Sequence, residues 1–435
     1  MRTKALAFAG LIAVCPSWVA AQTSVAVSDP VRIEANQTLT LEHAWALAER
    51  GNPVLNAARA RMAAAQGALT DAAAPLYNNP ELTLERTRRA VPQSGSPDQR
   101  RNEWNVGLAQ TIEIAGQRGH RLAVNEAAVV ALEAEIEDQT RKLRSSVAQA
   151  FNRVLALQQR IALDEEALEL FERTALAVEK RRAAGEDTRL DANVAAVEAE
   201  RARHQLAQSR EQLIEARAEL GAVLQLPPDV APQVRGDLSA RAGVAIDLSA
   251  LLNAVESQPR LRAHVARQQS AEARLRLEEA SRYPDVTVGV SVGREGPGDA
   301  RERLTTFSVS VPLPLFKRNA SGIGQARSEL GQARIERDAA VRDVRAQVRA
   351  SWARLQSLQA RVERLQNTVL PALLENQQLS LKSQRAGQIG LLELIVVNRQ
   401  ALDARRDLID ALAELQDLRQ ALEALAGQIK QGIQP

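Results

Sequence analysis

Apolar positions follow two different periods along the chain, and the two periods alternate in the same order twice. Helical spacing fills residues 40–74 and again residues 248–281, with a proline inside each stretch at Pro53 and Pro259. Proline cannot continue a helix in its interior, so each stretch is predicted as a short helix followed by a longer one. The pattern predicts an internal twofold repeat in which one half alone would leave apolar surface unburied.

Four short segments alternate instead between apolar residues and polar or small residues, which predicts β-strands with one apolar face. They form two pairs, within 81–113 and within 286–312. The segments Val91–Arg101 and Arg294–Arg303 are rich in charge, glycine and proline, and are predicted as exposed hairpin loops. A soluble sheet lying on helices would explain the alternation. A sheet facing lipid would also explain it, but four strands cannot close a barrel, so that interpretation requires an oligomer.

After each strand pair, apolar residues advance by alternating steps of four and three over an unusual length. This spacing runs from Leu143 to Val178, with one interruption at Asp164, and it runs again from Val341 to Val369. It predicts long helices that pack against partner helices. A helix over about 121–182 would be roughly 90 Å long at 1.5 Å per residue, a length that no globular core needs.

Each long helix is predicted to end in a glycine turn, at Gly185 and at Gly387. Glycine that follows basic residues is typical of a helix C-terminus. The chain then returns as helix through 190–226 and 391–426. Pro371 lies inside the second outgoing helix and predicts a kink there.

The N-terminus has basic residues, then an apolar run, then small residues, as a secretory signal over 1–21 would. The run is too short to span a bilayer, and no transmembrane helix is predicted. Cys15 is a candidate for lipidation, but the bulky Val14 before it favours cleavage after Ala21, which leaves no cysteine for disulfides or thiolate sites. The other predicted units are an extended segment 22–37, a first repeat 38–226 with its tip near 183–191, a linker 227–245, a second repeat 246–427 with its tip near 385–393, and a tail 428–435.

Composition supports long helices and argues against several kinds of function. Only 3% of residues are aromatic, as in chains of long helices. Basic and acidic residues nearly balance, with a formal net charge of +3, so the chain is not expected to bind nucleic acid. The histidines His43, His120, His204 and His264 share no ligand spacing, and no metal site is predicted. No catalytic constellation is evident, so we expect neither an enzyme nor a cofactor.

With these elements in order, the chain resembles the TolC family of outer-membrane efflux ducts over nearly its whole mature length. The resemblance is carried by Val106–Arg118, by Ser310–Asn319 and by the two glycine turns. The junctions between strands and helices are similar to those of the heavy-metal branch, which serves cobalt–zinc–cadmium or copper–silver pumps of the resistance-nodulation-division type. A periplasmic adaptor or coiled-coil scaffold is the alternative, although an adaptor would carry one hairpin flanked by small β domains.

The resemblance implies a mainly α fold with a membrane β-barrel portion. Three copies would each give four strands to one twelve-stranded outer-membrane barrel and their helices to a coiled-coil tunnel tapering into the periplasm of a Gram-negative bacterium. A homotrimer in outer-membrane lipid would receive its substrate from an inner-membrane pump through a periplasmic adaptor. It would act as a passive export duct with no cofactor.

The resemblance also implies that the two tips meet the adaptor. The tip residues are Ala184, Gly185, Glu186, Asp187, Ala386, Gly387, Gln388 and Ile389. Asp191 and Glu393 fall where family members place acidic residues, and three copies would form a carboxylate ring that favours cations. Both could equally be solvated acids in the first turn of a helix, where the helix dipole favours them. Because Val396 follows Glu393 by one turn, a second acidic ring is not expected there. Further gate candidates are Arg181, Arg182, Arg385 and Arg399.

Overall fold

The structure is a computed structural model that describes residues 38–239, 247–296 and 301–425. The predicted signal, Cys15, the segment 22–37 and the tail 428–435 lie outside these ranges. The helices and strands are β1 (Thr38–Leu39), α1 (Leu41–Gly51), α2 (Pro53–Ala73), β2 (Glu81–Gln93), β3 (Ser96–Ile112), α3 (Gln117–Ala183), α4 (Arg189–Leu224), β4 (Gln233–Val234), α5 (Leu248–Ala254), α6 (Pro259–Ala280), β5 (Val286–Glu295), β6 (Glu302–Ser310), α7 (Ala320–Arg364), α8 (Leu370–Arg385) and α9 (Leu391–Leu425).

The described elements repeat in the order that the sequence predicts: short helix, longer helix, strand pair, helical hairpin. Both longer helices, α2 and α6, begin with a proline, which confirms the breaks at Pro53 and Pro259. At the first break the Asn52 side chain caps α2 by accepting a hydrogen bond from the Leu55 amide at 3.0 Å. None of the described helices combines the length and the apolar composition that crossing a bilayer requires.

The two strand pairs join into one antiparallel sheet of order β2-β3-β5-β6, so the repeats meet between β3 and β5. Leu82, Leu108, Val290 and Phe307 stand side by side in the register of the four strands. Directly opposite residues share a face of a sheet, so these side chains form one apolar row. Phe307 is 81% exposed and Leu82 is 63% exposed. Among the described residues, none covers this apolar face.

The prediction of a loop over Val91–Arg101 is wrong. β2 continues to Gln93 and β3 begins at Ser96, with a tight turn at Gly95 (φ +85°) between them. The charged residues concealed these strand ends because the ladder is held there by backbone hydrogen bonds rather than by burial of an apolar face. In the second pair a connection does lie between Glu295 and Glu302, and residues 297–300 of it are outside the described ranges.

The helices that leave the sheet are as long as the apolar spacing predicts. α3 has 67 residues, about 100 Å at 1.5 Å per residue, and begins four residues before the predicted start. In the second repeat a π-helical turn, Leu365–Val369, separates α7 from α8 and ends two residues before Pro371. A proline removes one helical hydrogen bond and its ring crowds the preceding turn, so the wider turn relieves the clash that Pro371 would cause in a regular helix.

The buried apolar residues form two clusters, one in the middle of the helical body and one towards the hairpin tips. The middle cluster joins both repeats, with Val147 of α3, Val344 of α7 and Leu415 of α9 fully buried. The described part of the predicted linker packs on this cluster, because Leu238 is buried and β4 pairs with β1. The tip cluster joins α3, α4 and α9, whereas α8 has no buried residue.

One set of polar contacts fixes the sheet to the helices. Arg121, in the first turns of α3, forms an ion pair with Glu113 and lies 3.5 Å from the centroid of the Tyr77 ring. Beside it, the Gln117 side chain donates to Asp285 Oδ1 at 3.1 Å, which links the two repeats at this level. Together these contacts hold the end of β3 against the start of α3 and orient the sheet on the helical body.

We expect Arg121→Ala to lower the free energy of unfolding by about 2 kcal/mol, because it removes a partly buried ion pair and a cation–π contact together. Thermal unfolding of the purified protein measures this, and proteolysis between Glu113 and Gln117 should become faster. Arg173→Ala is the matched control, since its pair with Glu169 is exposed on both sides. Equal effects of the two substitutions would contradict the role of Arg121.

Candidate functional site

The two predicted tip turns have the same backbone structure. Gly185 and Gly387 both have positive φ, +80° and +69°. In each turn the glycine amide donates to the carbonyl three residues earlier at 3.0 Å, and the next amide, of Glu186 or Gln388, donates to the carbonyl five residues earlier at 2.9 or 2.8 Å. This is the glycine motif that ends helices, so both repeats close their outgoing helix in the same way.

Glycine is needed at the tips because the backbone there has positive φ, and not because a side chain would clash with neighbouring atoms. A Cβ atom added to Gly185 or Gly387 would meet no atom of the described residues within 4 Å. The neighbouring side chains of Ala184, Glu186, Ala386 and Gln388 are exposed, and those of Asp187 and Ile389 are partly buried. The structure therefore brings all eight predicted tip residues into two open turns that a partner protein can reach.

Asp191 and Glu393 cap the helices that return from the tips. The Thr188 side chain accepts a hydrogen bond from the Asp191 amide at 3.1 Å, and the Asp191 carboxylate accepts one from the Thr188 amide at 3.2 Å. The Thr188 hydroxyl also donates to this carboxylate, and hydrogen bonds from the Thr188 hydroxyl and amide lower the pKa of Asp191. In the second repeat, Glu393 Oε2 accepts from the Gly390 amide at 2.7 Å. Within one chain both acids act as helix caps, and their part in a gate stays a prediction.

The four candidate arginines have different surroundings. Arg181 forms an ion pair with Asp187 of the same tip turn at 2.8 Å. Arg182 donates two hydrogen bonds to Glu179, at 2.8 and 2.6 Å. Arg385 is exposed and has no ion-pair partner among the described residues. Arg399 is the member of the four that reaches the other repeat, where its guanidinium meets a carboxylate of α4. Of the predicted gate arginines, Arg399 is thus placed to link the two hairpins.

The partner of Arg399 is Glu198, which sequence analysis did not select. Glu198 is 7% exposed, and its carboxylate lies 2.8 Å from the Arg399 guanidinium and 3.1 Å from that of Arg201. A buried carboxylate is costly to desolvate unless it is paired, and here two guanidinium groups surround it. The sequence gives little signal for Glu198, because it is one of 53 acidic residues and does not interrupt an apolar pattern.

A second buried carboxylate, Asp164 of α3, joins the same helices closer to the middle of the body. It is 1% exposed and accepts two hydrogen bonds from Arg406 of α9, at 3.0 and 2.7 Å. The Ser209 hydroxyl of α4 donates to its other oxygen at 2.6 Å. Asp164 interrupts the apolar spacing of α3, and this interruption was the available signal for its role.

A third polar contact joins α3 and α9 nearer the sheet. The Asn152 side-chain amide donates to Asp417 Oδ1 at 2.8 Å. Burial raises the pKa of Asp417 to about 6, and the nearby Glu414 acts in the same direction, although the Asn152 hydrogen bond opposes them. We call these three contacts, Glu198–Arg399, Asp164–Arg406 and Asn152–Asp417, the interhairpin bridges. They tie α9 to the first hairpin at three levels.

Metal-ligating side chains do not gather elsewhere in the ranges that the structure describes. No group of three or more histidine, cysteine, aspartate or glutamate residues that could hold a metal ion occurs there. The polar chemistry of the described helices is dominated by arginine–carboxylate pairs. Such pairs position helices relative to one another.

We expect the pH dependence of stability to reveal the partly buried Asp417. Its pKa is raised on folding, so its contribution is favourable at low pH and is lost as pH rises through about 6. The stability of the wild type relative to Asp417→Asn should therefore increase by about 1 kcal/mol from pH 8 to pH 5. Thermal unfolding across this range measures the difference. Asp410→Asn removes a more exposed carboxylate of the same helix and should show no such trend, and a flat difference for Asp417→Asn would refute the assignment.

Comparison with known proteins agrees with this architecture. The model of a family described as outer membrane efflux protein matches residues 45–224 and 250–428. The cobalt-zinc-cadmium resistance protein CzcC of Cupriavidus metallidurans is 26% identical over 296 residues, which are 67% of each chain. This relative and the chain therefore share sequence across most of their length.

Solved structures show the same fold. A structure of CusC superposes with a TM-score of 0.74 at 16% identity and covers 89% of this chain and 92% of that one. VceC of Vibrio cholerae gives 0.73 at 20% identity, with 89% and 96% covered. The open state of MtrE of Neisseria gonorrhoeae gives 0.70 at 19% identity, with 91% of each covered. The chain belongs to the outer membrane efflux protein family and is a transport channel of the outer membrane that extends into the periplasm.

Proposed function

We propose that the chain is the outer-membrane duct of a tripartite efflux system whose cargo is heavy-metal cations. The observation that carries the proposal is the four-stranded sheet, which has an uncovered apolar face and stands on two long helical hairpins. The cargo class is supported by the similarity to a cobalt-zinc-cadmium resistance protein. An adaptor or scaffold is not favoured, since it would not need two strand pairs and two hairpins in one chain.

The functional unit is an oligomer because one sheet cannot close, and membership of the efflux family supports a homotrimer. The outer sides of β2 and β6 have no partner strand within the described chain. Lipid offers no hydrogen bonds to such edges, so three sheets complete one twelve-stranded barrel. The face opposite the apolar row suits a water-filled lumen, because Thr83, Gly107, Ser291 and Thr306 stand side by side on it. Each chain contains two similar repeats, over 38–226 and 246–427, so three chains place six similar units around one axis and the ring has pseudo-sixfold symmetry.

The hairpin tips dock a periplasmic adaptor, which in turn binds an inner-membrane pump of the resistance-nodulation-division type. Both tips are open turns of the same geometry, so three chains present six similar docking points. Substrate then passes from the pump into the duct, which does no chemistry on it. Asp191 and Glu393 lie one turn from the tips and contribute carboxylates near the entrance.

The gate is the contact of α9 with the first hairpin. α8 has no buried residue, so the second hairpin is held to the first chiefly through α9. The interhairpin bridges at Glu198 and Asp164 keep α9 against α3 and α4 in the closed arrangement. Opening separates these charged groups and lets water reach them. The arrangement is bistable because a buried ion pair is either well formed or fully solvated.

Membrane fractionation with cross-linking tests the proposal as a whole. The protein should sediment with outer membranes, and an amine-reactive cross-linker should convert the detergent-extracted protein to a trimer. A monomer that stays in the soluble fraction after lysis would contradict the duct. Loss of metal tolerance on deletion, restored by the wild-type chain, tests the cargo class separately from the assembly.

At the tips, we expect Gly185→Val combined with Gly387→Val to abolish export while trimer and membrane insertion stay intact. A β-branched residue at positive φ costs roughly 1–2 kcal/mol per position and reshapes the turn that the adaptor meets. Export is measured as metal retained by cells. Gly67→Val is the control, because the helical Gly67 has equally free space around it but needs no positive φ. Unchanged export in the tip variant would reject the docking assignment.

At the gate, we expect Asp164→Asn combined with Glu198→Gln to favour the open duct. Each substitution removes the charge of a buried ion pair, and breaking such a pair weakens the contact by on the order of 3 kcal/mol. Conductance in planar bilayers should rise, and cells should become sensitive to a bulky antibiotic. Glu166→Gln, which removes an exposed partner of Arg405, is the matched control and should change neither readout. Equal conductance in all three proteins would rule out the bridges as a gate.

A further inference from the structure

A row of cationic and aromatic residues crosses the sheet at its hairpin end. Arg86 pairs with Trp104, Trp104 pairs with Arg294, and Arg294 pairs with Arg303 in the register of the four strands. Since directly opposite residues point to the same side, all four side chains share one face. We call these four residues the arginine row. All four are exposed in the chain.

The arginine row borders the apolar face. Two residues further along each strand, on the same side, stand Leu84, Val106, Val292 and Thr305. Beyond them comes the row of Leu82, Leu108, Val290 and Phe307. Successive rows are separated by about 7 Å along the strand, so the guanidinium groups begin where the apolar surface ends. A tryptophan in such a row is typical of the boundary between lipid and water.

The charge of the arginine row is not balanced within the described chain. None of its three guanidinium groups has an ion-pair or hydrogen-bond partner among the described residues. The glutamates of the sheet point to the opposite face, where Glu103 pairs with Arg89 at 3.6 Å. Arg294 and Arg303 stand directly opposite each other, and like charges in that position destabilise a sheet. An anionic ligand on the outer surface would remove this repulsion.

We propose that the arginine row binds the phosphate groups of the glycolipid in the outer leaflet, the lipid A part of lipopolysaccharide. The helices leave the sheet at its other end and extend into the periplasm, so the hairpin end faces the cell exterior. Guanidinium groups bind phosphate through two parallel hydrogen bonds, and the acyl chains below lie against the apolar rows. The inference depends on the proposed duct for the direction of the sheet, and it adds a lipid ligand to that duct.

Lipid binding to the purified, detergent-extracted protein tests the inference. The probe is hexa-acylated lipid A with two phosphates, and the readout is the dissociation constant from native mass spectrometry and from the rise in unfolding temperature. We expect Arg86→Gln, Arg294→Gln and Arg303→Gln together to weaken binding about 100-fold, the effect of three charge contacts at a membrane surface. Lysine at the same three positions should restore most of the affinity. The control triple Arg342→Gln, Arg349→Gln and Arg361→Gln removes equal charge from exposed positions of α7 and should bind as the wild type does.

A second measurement needs no substitution in the sheet. The wild type should bind lipid A that lacks one phosphate less tightly than lipid A with both. Equal affinity for the two lipids, equal affinity of the glutamine triple and the wild type, or tighter binding of phosphatidylglycerol vesicles would each overturn the proposal. Cross-linking to a trimer is followed in the same samples, so a failed duct assembly is distinguished from a trimer that does not bind the lipid.

Discussion

The unpaired edges of the sheet are the constraint from which the rest of the structure follows. Backbone N–H and C=O groups on the outer sides of β2 and β6 have no partner strand within the described chain. In water such edges would be solvated, but inside a bilayer each unsatisfied group costs several kcal/mol. The exposed apolar face is stable against lipid, and inside lipid the edge strands need hydrogen-bond partners. Both conditions are satisfied only if the edge strands of neighbouring copies of the chain pair with one another.

The orientation of the helices below the membrane depends on the sheet. In the proposed trimer a closed ring of strands fixes where each helix begins, and the contacts of Arg121 hold the sheet in one orientation on α3. The two repeats are alike in their tips but differ in how they are held. α9 is tied to the first hairpin by buried carboxylates, whereas α8 follows a π-helical turn at Pro371 and buries no residue. In the gate that we propose, this asymmetry lets one hairpin move while the other remains fixed.

Much of the fold was predictable because it is periodic. Strand pairs, helix lengths, the proline breaks and the glycine tips each follow from local spacing, and the structure confirms them. The prediction failed where the backbone pairs although the side chains show no apolar alternation, as in Val91–Arg101, which is charged and yet forms the closed end of a strand hairpin. It also could not find Glu198, whose importance arises because Arg399 of a distant helix reaches it. Asp164 was visible as an interruption, but its partners Arg406 and Ser209 were not.

The arginine row was hidden for a similar reason. Arg86, Arg294 and Arg303 are far apart in sequence and look like ordinary loop charges until the register aligns them with Trp104. Register is a property of the paired backbone, which a single strand does not reveal. Asp191 and Glu393 illustrate the opposite case, since their positions after the tips were evident and their capping bonds follow from local geometry.

Disulfide cross-linking between edge strands tests the central claim most directly. The only cysteine of the chain is Cys15, so a cysteine at Thr83 in β2 can be paired with one at Thr306, Ser308 or Ser310 in β6. Within one chain these edges are about 14 Å apart across three strand spacings, too far for a disulfide. The account predicts that at least one pair gives covalent dimers and trimers on oxidation in outer membranes. Monomers alone for all three pairs would contradict it.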